Sequence, residues 1–194
     1  MLTRPWRRIG ALAAVAVLTV SGCSGGDDEP EPGPDTPDIE VPEGVTLTSG
    51  GSTVEVGTPV SVVDEPDNAA ATVITVEVDQ IERGKPKDLA GFDLDGVANG
   101  SVPYYVDASI RNAGPAVLAR ADLPLYGLDS GDEYFPPTAV RGAIDSCKPL
   151  ELPSKLDRGG AVKGCLVFTV PPKRNFTGVQ VRTSDLENPV TWAP

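Results

Sequence analysis

Runs in which apolar and polar residues alternate with period two, cut short by glycine, proline, asparagine or aspartate, commit most of this chain to β-strands. Helical periodicity is nearly absent. Along Pro103–Asn112, one face carries Tyr104, Val106, Ala108 and Ile110, and the other Tyr105, Asp107, Ser109 and Arg111. That is the pattern of a half-buried antiparallel strand, closed by the turn residues Asn112-Ala113-Gly114-Pro115. In Thr72–Ile81 the same alternation places Ile74, Val76 and Val78 inward, and in Ala161–Val170 it places Val162, Leu166, Phe168 and Val170 inward. Leu125–Phe135 predicts a hairpin around Ser130-Gly131, with shorter strands at 53–56, 59–63, 178–182 and 189–192. With 21 Gly and 20 Pro in 194 residues, turns are frequent enough to make many short strands, which favours an all-β sandwich. The stretch from Glu82 to Ser101 is too long and irregular for a hairpin loop, and loops of that length often carry function.

The amino terminus obeys a different logic. Arg4, Arg7 and Arg8 precede the apolar stretch Ile9–Val20, the order of a secretory signal peptide. At about 12 residues the stretch is shorter than the roughly 20 a membrane-spanning helix needs. Val20-Ser21-Gly22-Cys23 resembles a bacterial lipobox: an aliphatic residue, two small ones and a cysteine. The resemblance implies cleavage between Gly22 and Cys23, diacylglyceryl (palmitate-type) lipid on the Cys23 sulfur, and residence on the outer face of the membrane. The alternative is an ordinary secretory signal that leaves Cys23 as a free thiol, for which small-x-small cleavage sites are poor. The Arg7-Arg8 pair lacks the surrounding residues of a twin-arginine signal.

Residues 23–44 hold eight carboxylates, five prolines and no basic side chain. A segment with so little apolar surface cannot offset its chain entropy, so the composition predicts a disordered, extended acidic linker reaching about 65 Å in polyproline II geometry. The chain as a whole carries −12, from 16 Lys and Arg against 28 Asp and Glu; without the three signal arginines this becomes −15. Such a charge disfavours nucleic acid as a partner. The expected organisation is a signal peptide over 1–22, lipidated Cys23 and linker over 23–44, and one β-domain over 45–194, about the commonest domain size.

Three cysteines constrain the domain further. If Cys23 carries lipid, Cys147 and Cys165 remain as an even set in an oxidising compartment, and a disulfide is expected. Two thiols without a histidine make a poor metal site. Cys165 lies on the face of its strand opposite the core set, so the bridge would pin the preceding loop across the sheet's outer side or edge.

Catalytic chemistry is restricted by what is missing. There is no histidine, and the single methionine is Met1. Ser-His-Asp and Cys-His catalysis and His-based zinc or copper sites are therefore excluded, and no phosphate loop or dinucleotide fingerprint occurs. No cofactor is expected. Asp93, Asp95 and Asn99 alternate like the start of a calcium loop but lack its third early ligand and distal glutamate. Asp129, Asp132 and Glu133 could gather around a cation or simply bond to turn backbone. A glycosidase-like carboxylate pair is conceivable, yet no spacing selects one. Tyr105 faces away from the core, either towards a ligand or beneath the long loop.

The order of motifs adds a resemblance. An aromatic-aliphatic strand ends in Asn112-Ala113-Gly114; a hairpin comes next with Asp129-Ser130-Gly131-Asp132-Glu133-Tyr134; Leu156-Asp157-Arg158-Gly159-Gly160 then precedes the strand ending Phe168-Thr169-Val170-Pro171. This order resembles the immunoglobulin-like extracellular domains of Gram-positive lipoproteins and secreted antigens over roughly residues 68 to 194. The resemblance implies an immunoglobulin-like antiparallel sandwich and no catalytic residue. The combined expectation is a membrane-anchored envelope lipoprotein, not an enzyme, displaying an interaction module to a protein or cell-wall partner. The alternatives are a small-ligand or calcium-binding module using the 82–101 loop, or a carboxylate-dependent wall hydrolase.

Overall fold

The computed structural model describes residues 39–66, 69–92, 94, 97–120, 122–142, 144–183 and 185–194. The signal segment, Cys23 and most of the linker lie outside the described residues, as do Asp93 and Asp95. Strands β1 (Thr53–Glu55), β2 (Val60–Asp64), β3 (Thr72–Arg83), β4 (Val102–Asn112), β5 (Leu125–Asp129), β6 (Tyr134–Phe135), β7 (Ala161–Val170), β8 (Phe176–Val181) and β9 (Val190–Ala193) succeed one another in chain order. They form two sheets, ordered β1-β9-β8-β5-β6 and β2-β3-β4-β7. The all-β sandwich expected from the alternation is what the chain adopts. Pairing is antiparallel except at one edge, where β1 runs parallel to β9.

The inward sets meet between the sheets. Ile74, Val76 and Val78 of β3, Val106, Ala108 and Ile110 of β4, and Leu166, Phe168 and Val170 of β7 are all buried in one core with Val179 and Val181 of β8. Trp192 is fully buried, and its indole N–H donates to the Thr58 carbonyl at 2.8 Å, the polar partner a buried indole requires. Tyr104 stacks on Phe176 with ring centroids 4.7 Å apart, and Phe168 and Phe135 close around them. Gly127 makes the space: a Cβ there would stand 2.8 Å from both Phe168 and Phe176.

Simple alternation fails at one point, for a local reason. Val78 pairs with Ala108 but Gln80 pairs with Asp107, so Asp79 is an extra residue on β3. The bulge reverses the parity of the rest of the strand and turns Ile81 onto the core, where a strict period of two would face it outward.

Two motifs read from sequence are structural staples. Buried Asn112 donates through Nδ2 to the Ala116 and Leu156 carbonyls, at 2.8 and 2.9 Å. Its Oδ1 accepts from the Thr72 hydroxyl at 2.9 Å and from the Gly114 N–H at 3.2 Å. The amide thus ties the end of β4 to β3, to its own turn and to the segment before β7. Cys147 and Cys165 are joined by a disulfide on the outer face of β7, as the face assignment of Cys165 required. Leu150 N–H donates to the Cys165 carbonyl at 3.0 Å and Cys165 N–H to the Lys148 carbonyl, so this strap covers an edge of β7 that would otherwise be open.

Candidate functional site

The long 82–101 segment begins as strand. β3 runs on to Arg83, and Gly84 N–H bonds the Pro103 carbonyl at 2.8 Å. A short 3-10 turn, Pro86–Leu89, comes next and buries Leu89. Asp88 closes it: its Oδ2 accepts the Lys85 N–H at 2.7 Å. Gly84 is required by close approach, since a Cβ there would lie 2.7 Å from the Tyr105 ring and 2.9 Å from Pro103.

Between this turn and the disulfide loop, on the outer face of the four-stranded sheet, lies a polar cleft of about 490 Å³ with Tyr105 and Cys165 among its lining. Tyr105 is half-buried and packs against Cys147, Cys165 and Val167 with Ile144 and Val140. The cleft carries the carboxylates of Glu82, Asp88 and Asp107 alongside Lys85 and Lys87. Burial, with Asp88 and Glu82 adding to it, pushes the Tyr105 hydroxyl above its ordinary pKa of 10.0, so it stays a neutral donor at physiological pH. A cleft lined by the hydroxyl residues Tyr105 and Ser146, three carboxylates, two ammonium groups and the Arg83 guanidinium is equipped to hydrogen-bond a small polar ligand. It offers no thiol or imidazole for covalent chemistry.

A second opening, of about 380 Å³, lies beside the β5–β6 hairpin among Phe135, Pro137 and Thr138. Asp129 stands at its edge but is committed to the fold. Its Oδ1 accepts the Gly131 N–H at 2.7 Å and the Glu133 N–H at 3.3 Å, and both oxygens receive the Arg174 guanidinium at 2.9 Å. Burial alone would raise its pKa; the Gly131 N–H, Arg174 and the Glu133 N–H outweigh it and hold the carboxyl below its ordinary value. The cation beside Asp129 is therefore Arg174, and the backbone-bonding role is the one the hairpin uses. Asp132 takes the left-handed turn position with φ 58°.

Asn99, the one described member of the calcium-like set, is exposed in a turn. Among the described residues no three His, Cys, Asp or Glu side chains converge as a metal site. Sequence reasoning missed the buried ion pair between Asp64 and Arg120, 56 residues apart, which no local pattern signals. Burial pushes the Asp64 carboxyl up, against the opposing charge and hydrogen bond of Arg120. Asp64 does not line the cleft.

No family model matches the chain, and no curated protein does. Among solved structures it is similar to MPT63, a secreted protein of Mycobacterium tuberculosis: TM-score 0.51, 13% identity, covering 76% of this chain and all of that one. At that identity the likeness establishes the fold alone, a β-sandwich of a kind found in a secreted protein.

Proposed function

We propose that this chain is a lipid-anchored protein on the outer face of the cell membrane whose sandwich is a non-catalytic interaction module. The observation that carries the reading is the cysteine accounting. Cys147 and Cys165 bond to each other, which leaves Cys23, at the +1 position of Val20-Ser21-Gly22-Cys23, as the one cysteine outside that bridge. A disulfide suits an oxidising, extracytoplasmic compartment, and the likeness to a secreted sandwich supports the same address. One acyl chain binds a membrane reversibly and two or more hold it, so a diacylated Cys23 would anchor the domain stably. Metabolic labelling with an alkyne fatty acid tests this. Label is expected on the wild-type chain and none on Cys23→Ala, which should partition to the soluble fraction; undiminished label on the variant sinks the anchor.

A second reading, that the domain binds a small polar ligand or calcium next to the 82–101 segment, is favoured by the hydroxyl and mixed charges gathered around Tyr105. Calorimetry with calcium decides its metal branch, and a flat titration removes it. For the carboxylate-hydrolase alternative, turnover of envelope polysaccharide that is lost on amidating surface carboxylates would be the supporting result.

A further inference from the structure

Tyr134 and Leu186 are the most exposed large hydrophobic residues among those described, at 53% and 59%, and they are 52 positions apart in the chain. One side chain draws them together. The Arg182 guanidinium lies 4.0 Å from the Tyr134 ring centroid, while its NH2 group donates to the Leu186 carbonyl at 2.5 Å and its NH1 group to Gln180 Oε1 at 2.9 Å. Tyr134 also meets Tyr126 edge to face, with centroids 5.8 Å apart. Tyr126 leads into a groove of about 580 Å³ walled by Leu123, Pro137 and Leu152, whose charged lining residues are Asp122 and Glu151.

Carboxylates predominate around this surface. Asp122 and Glu151 are exposed, and neither has a cationic partner among the described residues. Leu186 is flanked by the exposed Asp185 and Glu187. Of the neighbouring cations, Arg120 is neutralised by buried Asp64 and also donates to the Asp122 carbonyl, whereas the partners of Arg182 (Gln180, the Leu186 carbonyl and the Tyr134 ring) are neutral, so it stands as a single positive charge among four carboxylates, Asp122, Glu151, Asp185 and Glu187. Prolines in the wall and an edge-to-face tyrosine pair with the hydrogen-bonded Arg182 over one ring restrict the side-chain freedom lost on binding. Tyrosine and arginine held in this way are the residue types that dominate protein interfaces.

We infer that this groove and its Tyr126–Tyr134–Leu186 rim dock a short extended peptide segment of a partner protein, one that presents apolar or prolyl side chains flanked by lysine or arginine. The inference rests on the reading of the sandwich as an interaction module and names the surface it would use. The test titrates the full-length chain with three fluorescent hexapeptides that share a Leu-Pro-Leu core and carry lysine, glutamine or glutamate at the other positions. Anisotropy should give saturable binding of the lysine peptide at least 10-fold tighter than the glutamate one, weakening steeply with salt. Asp122→Asn with Glu151→Gln, both at exposed positions, should lower that affinity at least 5-fold with the melting temperature unchanged. Equal affinity across the series, no saturable binding, or insensitivity to the double variant overturns the inference. So does vesicle binding by the full-length Cys23→Ala chain that is lost in Tyr134→Ala with Leu186→Ala, which would assign the surface to a membrane. None of these results bears on the fatty-acid label at Cys23, so the two readings fail separately.

Discussion

Removing the Cys147–Cys165 bond should cost the whole domain stability rather than merely loosen a loop. The bond closes a loop of 18 residues in sequence separation. In the chain-entropy relation a loop of that length removes about 11 cal/mol/K from the unfolded ensemble, or about 3 kcal/mol at 25 °C. The strap would still be held in the folded state, because Thr138 N–H bonds the Val167 carbonyl at 2.7 Å and Leu150 N–H bonds the Cys165 carbonyl at 3.0 Å. The native arrangement should therefore survive in a Cys147→Ala/Cys165→Ala variant, with the loss appearing as easier global unfolding. For a domain of this size about 3 kcal/mol corresponds to a fall of about 10 °C in melting temperature. Urea unfolding monitored by intrinsic fluorescence of Trp192 measures the free energy, and hydrogen exchange at residues 138–150 separates global from local loss. A midpoint unchanged within error, with faster exchange confined to the strap, would refute the reasoning, since it would mean that the bridge restrains only the native loop.

Buried groups give three further predictions. Asn112→Ala leaves two carbonyls, a hydroxyl and an N–H without their partner amide, and should destabilise the domain by about 3 kcal/mol in urea melts, against under about 1 kcal/mol for an exposed asparagine such as Asn188. Gly127→Ala drives a methyl into the Phe168, Phe176 and Phe135 rings and should cost about 1–3 kcal/mol, with altered aromatic-region circular dichroism. The two perturbed carboxyls act on pH dependence with opposite signs. Asp129, held below its ordinary 3.8, contributes stability present above that pH and lost as pH falls through its folded value, so Asp129→Asn should flatten the acid limb of the stability profile. Asp64, pushed above 3.8, favours the folded state when protonated and loses that contribution as pH rises through its folded value; Asp64→Asn should remove this decline from pH-dependent urea midpoints.

Local pattern and tertiary structure each account for identifiable residues. The inward faces of β3, β4 and β7 were legible because a strand's side chains alternate by geometry and the core demands apolar groups on one side. The face of Cys165 came from the same rule and correctly placed the disulfide outside the core. Asp79 was not legible, because a bulge is decided by the partner strand's register, which alternation within one strand does not contain. Asp129 showed its turn chemistry in sequence, whereas its guanidinium partner, Arg174, lies 45 positions downstream and reaches it only once β8 pairs with β5. The cleft around Tyr105 was half visible: the outward tyrosine and the irregular segment could be read, but their approach depends on Gly84 contacting the ring across the β3–β4 pair.

By itself the sequence determined the fold class, the strand faces, the exclusion of histidine chemistry and the expectation of an anchor at Cys23, since each comes from residue type and spacing along the chain. Tertiary structure alone decided which distant groups share a surface: Asp64 with Arg120, Asp129 with Arg174, and Tyr134 with Leu186 through Arg182. The physical reason is that burial and charge pairing act through space over a few ångströms, and in a sandwich of non-sequential neighbours those few ångströms span 45 to 56 positions of chain in these three pairs.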